Sequence, residues 1–260
     1  MPCLYGFAVQ NKIEKQWQEP TEKDLLIAHA LGGIQGVTYS NSREAFLKNY
    51  EDGKRWFEVD LFLLKDSNLV CYHGDMDQNL GLKKGEVELL NVEEFVQLKF
   101  VGQFTLISFE DLLSMVKIKK DAYIVTDTKG WNQQKMDALL RHIKNVDPQL
   151  ISKIIPQIYQ PDDIGRIEKA EESAGKFHSL IFTLYLTRVS NNKVLAFVIQ
   201  KGIPIVVVPV KSQRINDQFL EALHQHNKHV YIHTVNDGKT IEKWMEFGID
   251  GFYTDFYKKK

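Results

Sequence analysis

The sequence is that of an α/β chain forming a single (β/α)8 TIM barrel, and three observations carry that expectation. Short β-rich runs recur along the chain, at 25–30, 56–64, 122–127, 154–159, 179–184, 203–209, 230–235 and 251–254. From the third run onward they begin roughly every 20–30 residues, the spacing of a strand followed by a crossover helix. No Gly-rich phosphate-binding turn follows the first run, which favours a closed barrel over an open doubly wound sheet. The length of 260 residues also fits one such barrel.

Taken in order, the first run ends in IAHA and places His29 at a strand tip. Asn41, with Glu44 three residues on, reads as a capping box that opens a helix, and Gly53 as its stop. The second run, WFEVDLFLL, carries Glu58 and Asp60 two residues apart, hence on one face of the strand. It continues into a hairpin, KDSN, and returns as LVCYHG, delivering His73.

Between His73 and Ser108 no βα repeat is legible, and the polar stretch GDMDQNLGLKKGE lies there. A connection this long after the second strand is expected to be a functional insertion that folds over the barrel mouth and helps select the substrate. The next strand, AYIVTDTKG, adds Asp127 and Lys129, again two apart. Met136, Leu139, Leu140 and Ile143 mark one helix face, and Ile215, Phe219, Leu220 and Leu223 another. IPIVVVPV is nearly all apolar, as a parallel strand buried on both sides should be. Gly202 and Gly248 each close a helix, and YIHTVND raises His233 to the level of the mouth.

Composition narrows the function classes. Lys plus Arg number 33 against 34 acidic residues, so no general attraction to nucleic acid exists. The two cysteines, Cys3 and Cys71, form no zinc-ligand pattern, and a bridge between them has no support. No apolar stretch is long enough to span a bilayer, and no signal peptide is legible at the N-terminus. The expected location is cytoplasmic, with a leader or anchor upstream left open. Residues 1–23 read as an N-terminal extension and 24–260 as the barrel.

The chemistry should sit where polar residues interrupt apolar strand ends. Glu58 and Asp60 side by side in a partly dry site repel each other, and a divalent cation removes that penalty. Carboxylate oxygens suit Mg²⁺ or Ca²⁺. Asp127 extends the acidic set, although with Lys129 it could instead form a salt bridge. Asn41 is a helix cap first and a substrate contact second, and His233 is a candidate substrate contact. His142, His178, His224, His226 and His229 are assigned structural roles.

The ordered set of motifs resembles the glycerophosphodiester phosphodiesterase family from Asp24 to Phe256: IAHALGG, NSREAF, FEVDLFLLKDSNLVCYHG, TLISFEDLL, VTDTKG, YIHTVND and GIDGFYTDF. The family fold is the same barrel. The resemblance implies that His29 and His73 are the catalytic acid/base pair, that Glu58, Asp60 and Asp127 hold the metal, and that Lys129 contacts phosphate. Three departures are visible. Ala30 stands where the family usually has Arg, Ser40 where it has Glu, and Asp127 where it has Glu. The Asp127–Lys129 spacing and the YHG around His73 look closer to the sphingomyelinase D-like branch. NSREAF looks similar to bacterial phosphatidylinositol phospholipase C-like proteins.

The expected activity is a metal-dependent phosphodiesterase cleaving a glycerophosphodiester or phospholipid head-group ester. The cofactor is one divalent cation, Mg²⁺ or Ca²⁺. A neighbouring substrate hydroxyl is expected to attack, giving a cyclic phosphate first. The alternatives are a phospholipase D-like lyase and a non-catalytic barrel that binds phosphodiesters or lipid head groups. The expected partner is a small-molecule or lipid-derived phosphodiester, with room for transient contact with a membrane surface and none for nucleic acid. The oligomeric state is not legible.

Overall fold

In the computed structural model, which describes residues 17–258, the strand pairing closes on itself. The strands in chain order are β1 (Leu26–Ala28), β2 (Trp56–Leu63), β3 (Leu69–Cys71), β4 (Lys99–Phe100), β5 (Phe104–Thr105), β6 (Tyr123–Asp127), β7 (Ile154–Ile158), β8 (Ile181–Thr183), β9 (Ile205–Pro209), β10 (His229–His233) and β11 (Gly251–Thr254). Eight of them form the parallel barrel β1-β2-β6-β7-β8-β9-β10-β11, and β11 pairs back onto β1. All eight runs read from the sequence are barrel strands. β3 lies outside, antiparallel to β2, as the hairpin reading required. The N-terminal extension falls mostly on residues 1–16, which lie outside the described residues, as does Cys3.

Helices α1 (Arg43–Glu51), α3 (Phe109–Ile118), α4 (Gln133–Val146), α5 (Ile164–Ala174), α6 (Asn191–Lys201), α7 (Asp217–Gln225) and α8 (Gly238–Glu246) link successive barrel strands, and the short α2 (Val92–Phe95) belongs to the insertion. Strand periodicity divides the core in two. Ile27, Trp56, Val125, Ile155, Ile181, Ile205, Val207, Tyr231 and Tyr253 point inward and fill the lower barrel. Alternate residues such as Phe57, Val59, Ile124, Phe182, Val206 and Phe252 point outward and pack beneath the helices. A barrel this narrow leaves no slack. At Gly251 a Cβ would sit 2.5 Å from the Tyr231 ring, so only glycine lets β11 and β10 approach. Above the apolar layers, the same periodicity turns Glu58, Asp60 and Asp127 toward the C-terminal mouth.

Two expectations need correction. The capping box is not at Asn41. Ser42 caps α1 by accepting from the Ala45 N–H at 3.2 Å. Asn41 has φ 45° and points elsewhere. Glu44 accepts from the N–H and hydroxyl of Thr105 at 2.8 and 2.7 Å, tying α1 to the insertion. A short polar side chain one residue later serves as the cap equally well, which the spacing alone does not reveal.

The insertion also does not cover the mouth. It is built from α2, the β4–β5 hairpin and 3-10 turns, and it buries Val87, Phe95, Phe100 and Phe104 in the main core. No residue between 74 and 107 lines the cavity at the mouth described below. Most of the segment packs beside β3 and α1, held there by its apolar side chains, while Asp75 at its start bonds His73.

His142 on α4 shows why one of the structural histidines is needed. Its Nε2 accepts from the Leu69 N–H at 3.1 Å, so Nδ1 carries the ring proton and donates to Glu110 at 2.8 Å. This satisfies a donor of the β2–β3 hairpin that delivers His73. Burial lowers the His142 pKa, and the Glu110 hydrogen bond opposes that only in part. The unfolded chain therefore takes up this proton first as pH falls below about 6.5. The stabilising contribution is complete above that pH and is lost as pH drops toward the lowered folded value. His142→Ala should cost about 1–3 kcal/mol at pH 7.5 by leaving the Leu69 N–H unpaired. Denaturant unfolding of both proteins at pH 7.5 and 5.5 should show that gap narrowing in acid; a gap that widens there would contradict the assignment.

Candidate active site

The site grows out of the strand ends. After β1 the chain turns sharply through His29–Leu31, with Ala30 at φ 49° and Leu31 at φ 66°. That turn aims the Ala30 N–H at Glu58 Oε2, 2.7 Å away. Gly32 completes it at φ 92°, where a Cβ would lie 2.2 Å from the Asn49 side chain. His29 is held by Asp255, with Nδ1 at 2.8 Å from Oδ1, and Asp255 also accepts from Asn236 at 2.8 Å. Burial would lower the His29 pKa, but the Asp255 hydrogen bond and the charges of Glu58, Asp255 and Asp60 outweigh it and raise it to about 9. That favours the protonated ring.

The carboxylates meet because of register. Asp60 on β2 lies directly beside Asp127 on β6, and Glu58 sits one inward position below Asp60. Oxygen atoms of the three carboxylates lie within 4.8 Å of one another, and all three residues are buried. Burial and then the neighbouring Asp60 charge push Glu58 well above the usual carboxylate range and raise Asp127 as well. Asn41 reaches Asp60 through both ends of its amide, donating to Oδ2 at 3.0 Å and accepting from the backbone N–H at 3.2 Å.

His73 approaches from the far side of the acidic cluster. Its Nδ1 bonds Asp75, and its Nε2 accepts from Lys129 Nζ at 2.7 Å. Lys129 Nζ stands 3.7 Å from Asp60 and 4.0 Å from Asp127, shared between them rather than committed to an Asp127 pair. His233 faces the same space with its ring edge-on to Tyr185 at 5.3 Å. Its Nε2 is buried without a hydrogen-bond partner among the described residues, and burial, helped by the His29 and Lys129 charges, lowers its pKa to about 4.

These groups line one cavity of about 180 Å³. It brings together His29, Glu58, Asp60, His73, Asp127, Lys129 and His233, whereas Asn41 stands behind Asp60. A larger cavity of about 710 Å³ opens at the opposite, N-terminal end around Lys54, Arg55 and Asp121 and holds none of them. The sequence reading missed Asp255, Tyr39, Tyr159 and Tyr185. Tyr159 donates to Asp127, and Tyr185 does so at 3.3 Å. Asp255 could have been found, since it follows Gly251 and Tyr253 at the inward period of its strand. Tyr159 and Tyr185 lie just past strand ends and Tyr39 in the loop before α1, where periodicity is not informative.

The donor set fits a hard divalent cation: three buried carboxylates converge, and two of them are destabilised as anions by burial and by one another.

Comparison with known proteins agrees with this geometry. Residues 32–259 match the model of the glycerophosphoryl diester phosphodiesterase family. A glycerophosphodiester phosphodiesterase of Bacillus altitudinis is 22% identical over 241 residues, covering 86% of this chain and 92% of the relative. Among solved structures, a glycerophosphodiester phosphodiesterase from Parabacteroides distasonis superposes with a TM-score of 0.68 at 17% identity, covering 90% of this chain and 93% of the other. A phosphodiesterase from Oleispira antarctica, in complex with the product sn-glycerol-3-phosphate, does so with a TM-score of 0.69 at 15% identity, covering 89% and 92%.

If the acidic cluster takes a cation, the ion should stabilise the fold. Mg²⁺ or Ca²⁺ at about 100 times its dissociation constant should add about 2.7 kcal/mol. Thermal melts with chelator and with each ion should therefore differ in the wild type, and Asp60→Asn should lose most of the shift. Identical melts in both conditions would remove the cation from the site.

Proposed function

This chain belongs to the glycerophosphoryl diester phosphodiesterase family and is a phosphoric diester hydrolase, and we propose that it cleaves a small glycerophosphodiester with His29 and His73 as its acid–base pair. The observation that carries this reading is that both histidines and the three carboxylates line one cavity. The product in the Oleispira antarctica structure, sn-glycerol-3-phosphate, supports a small glycerol phosphate ester as substrate. Residues 24–260 act as one catalytic unit. Among the described residues no helix is long and apolar enough to cross a membrane.

In this reading Glu58, Asp60 and Asp127 hold one Mg²⁺ or Ca²⁺. Such an ion, when bound, offsets the negative charge that builds on the phosphoryl oxygens. Lys129 supplies a second positive charge beside the same cluster, and Asn41 keeps the Asp60 carboxylate in one orientation. The histidines divide the proton work. His29, kept protonated by Asp255, gives its proton to the departing alkoxide. His73 Nε2, which accepts from Lys129, takes the proton of the attacking hydroxyl once the Lys129 ammonium turns to the phosphate. Asp75 holds the other ring nitrogen of His73 and fixes that tautomer. His233, neutral at physiological pH, contacts the alcohol portion of the substrate.

The attacking hydroxyl is the substrate's own. A glycerol hydroxyl next to the ester has an effective molarity of about 10⁵ M or more when well oriented, far above that of an external reactant. The oxygen of that hydroxyl bonds to phosphorus as the ester bond to the leaving alcohol breaks, and a cyclic phosphate results. Water then opens the ring.

Phosphorus NMR of an early time course with glycerophosphocholine should show the cyclic resonance before the phosphomonoester. An acyclic product carrying solvent oxygen from the first turnover would instead mean direct attack by water. His29→Ala and His73→Ala should each lower turnover by about 10²-fold or more with the fold intact. Retention of activity in both variants would refute the acid–base pair.

A further inference from the structure

The Tyr39 ring packs against both histidines. It meets His29 edge-on with centroids 4.7 Å apart and His73 at 5.1 Å. It is half-buried and lines the same cavity. A tyrosine rarely adopts the left-handed backbone region, yet Tyr39 has φ 57° and Asn41, two residues on, has φ 45°. Such strain persists only where the surroundings over-determine it. Here Asn41 is clamped to Asp60 by two hydrogen bonds, Ser40 bonds Ser42 at 2.9 Å, and Ser40, Asn41 and Ser42 are fully buried. The turn is therefore pinned from below while it lifts one aromatic side chain into the mouth.

The hydroxyl of that side chain differs from its neighbours. Tyr159 and Tyr185 both donate to Asp127, and Tyr253 donates to Gln157 at 2.7 Å. The Tyr39 hydroxyl makes no hydrogen bond among the described residues. A phenol stays protonated at neutral pH and so offers a donor. Tyr39 lines a cavity that it shares with both histidines, the three carboxylates and Lys129. A phosphodiester lying between those histidines would carry its unesterified oxygens next to the ring.

We propose that Tyr39 contacts the substrate directly, its hydroxyl donating a hydrogen bond to a non-bridging phosphate oxygen while its ring keeps the two imidazoles apart. The inference rests on the acid–base assignment of His29 and His73. It assigns a phosphate contact to a loop rather than to a strand end, in a chain whose residue after the first histidine is Ala30, whose side chain has no donor.

Tyr39→Phe keeps the ring and removes only the hydroxyl, so its melting temperature should match the wild type. Its kcat/KM for glycerophosphocholine should fall about 10²-fold, the lower end of the range seen when one donor to a developing oxyanion is deleted. Calorimetry with sn-glycerol 3-phosphate should show weaker binding to Tyr39→Phe. Wild-type kinetics and product affinity in Tyr39→Phe would overturn the inference. The acid–base assignment is read separately from His29→Ala and His73→Ala in the same assay. Full activity in those variants sinks that assignment, while the calorimetric comparison still decides whether Tyr39 binds the phosphate.

Discussion

Three carboxylates are buried within reach of one another at the mouth of an apolar barrel, and much of the surrounding structure answers their repulsion. Burial alone penalises each anion, and proximity adds to the cost. The raised values of Glu58 and Asp127 express that cost directly. Around the cluster the protein has arranged hydrogen-bond donors and positive charge. The Ala30 N–H serves Glu58, the Asn41 amide serves Asp60, and the tyrosine hydroxyls and the Lys129 N–H serve Asp127. Two positive groups, Lys129 and the His29 imidazolium, stand at its edges. Hydrogen bonds soften the repulsion without removing the net charge, which is why the cluster suits a divalent ion and an anionic substrate above it.

The scaffold explains how such a cluster is held in place. β2 and β6 run parallel in fixed register, so Asp60 and Asp127 cannot separate without breaking the barrel. The apolar layers beneath, from Trp56 to Tyr231, hold the strands at that spacing. The histidines arrive by different routes, one on the turn after β1 and one on the β2–β3 hairpin, whose position depends on His142 and on the insertion packed beside it. Residues far from the mouth therefore govern the distance between His29 and His73.

Much of this was legible in the sequence because period two is a strong signal within strands. Glu58, Asp60, Asp127 and His29 fall where alternation and the ends of apolar runs put them, and the eight barrel strands follow from the same pattern. What the pattern could not convey lies in turns. Asn41 looked like a helix cap because cap chemistry and carboxylate-binding chemistry use the same side chain, and only its left-handed backbone separates the two. Tyr39, Tyr159 and Tyr185 reach the cavity from loops, where direction depends on tertiary packing. The segment after His73 looked like a lid because of its length and its place after the second strand, yet buried side chains such as Val87 and Phe95 anchor it to the core.

The central claim is that the acidic cluster is costly to the fold and necessary to the chemistry. Glu58→Gln tests both halves at once, because the amide oxygen can still accept the Ala30 N–H while one negative charge is gone. In cation-free buffer the variant should unfold at a higher temperature than the wild type, and with Mg²⁺ or Ca²⁺ restored it should be nearly inactive. A variant that is less stable without cations and still turns over glycerophosphodiesters with them would contradict the account.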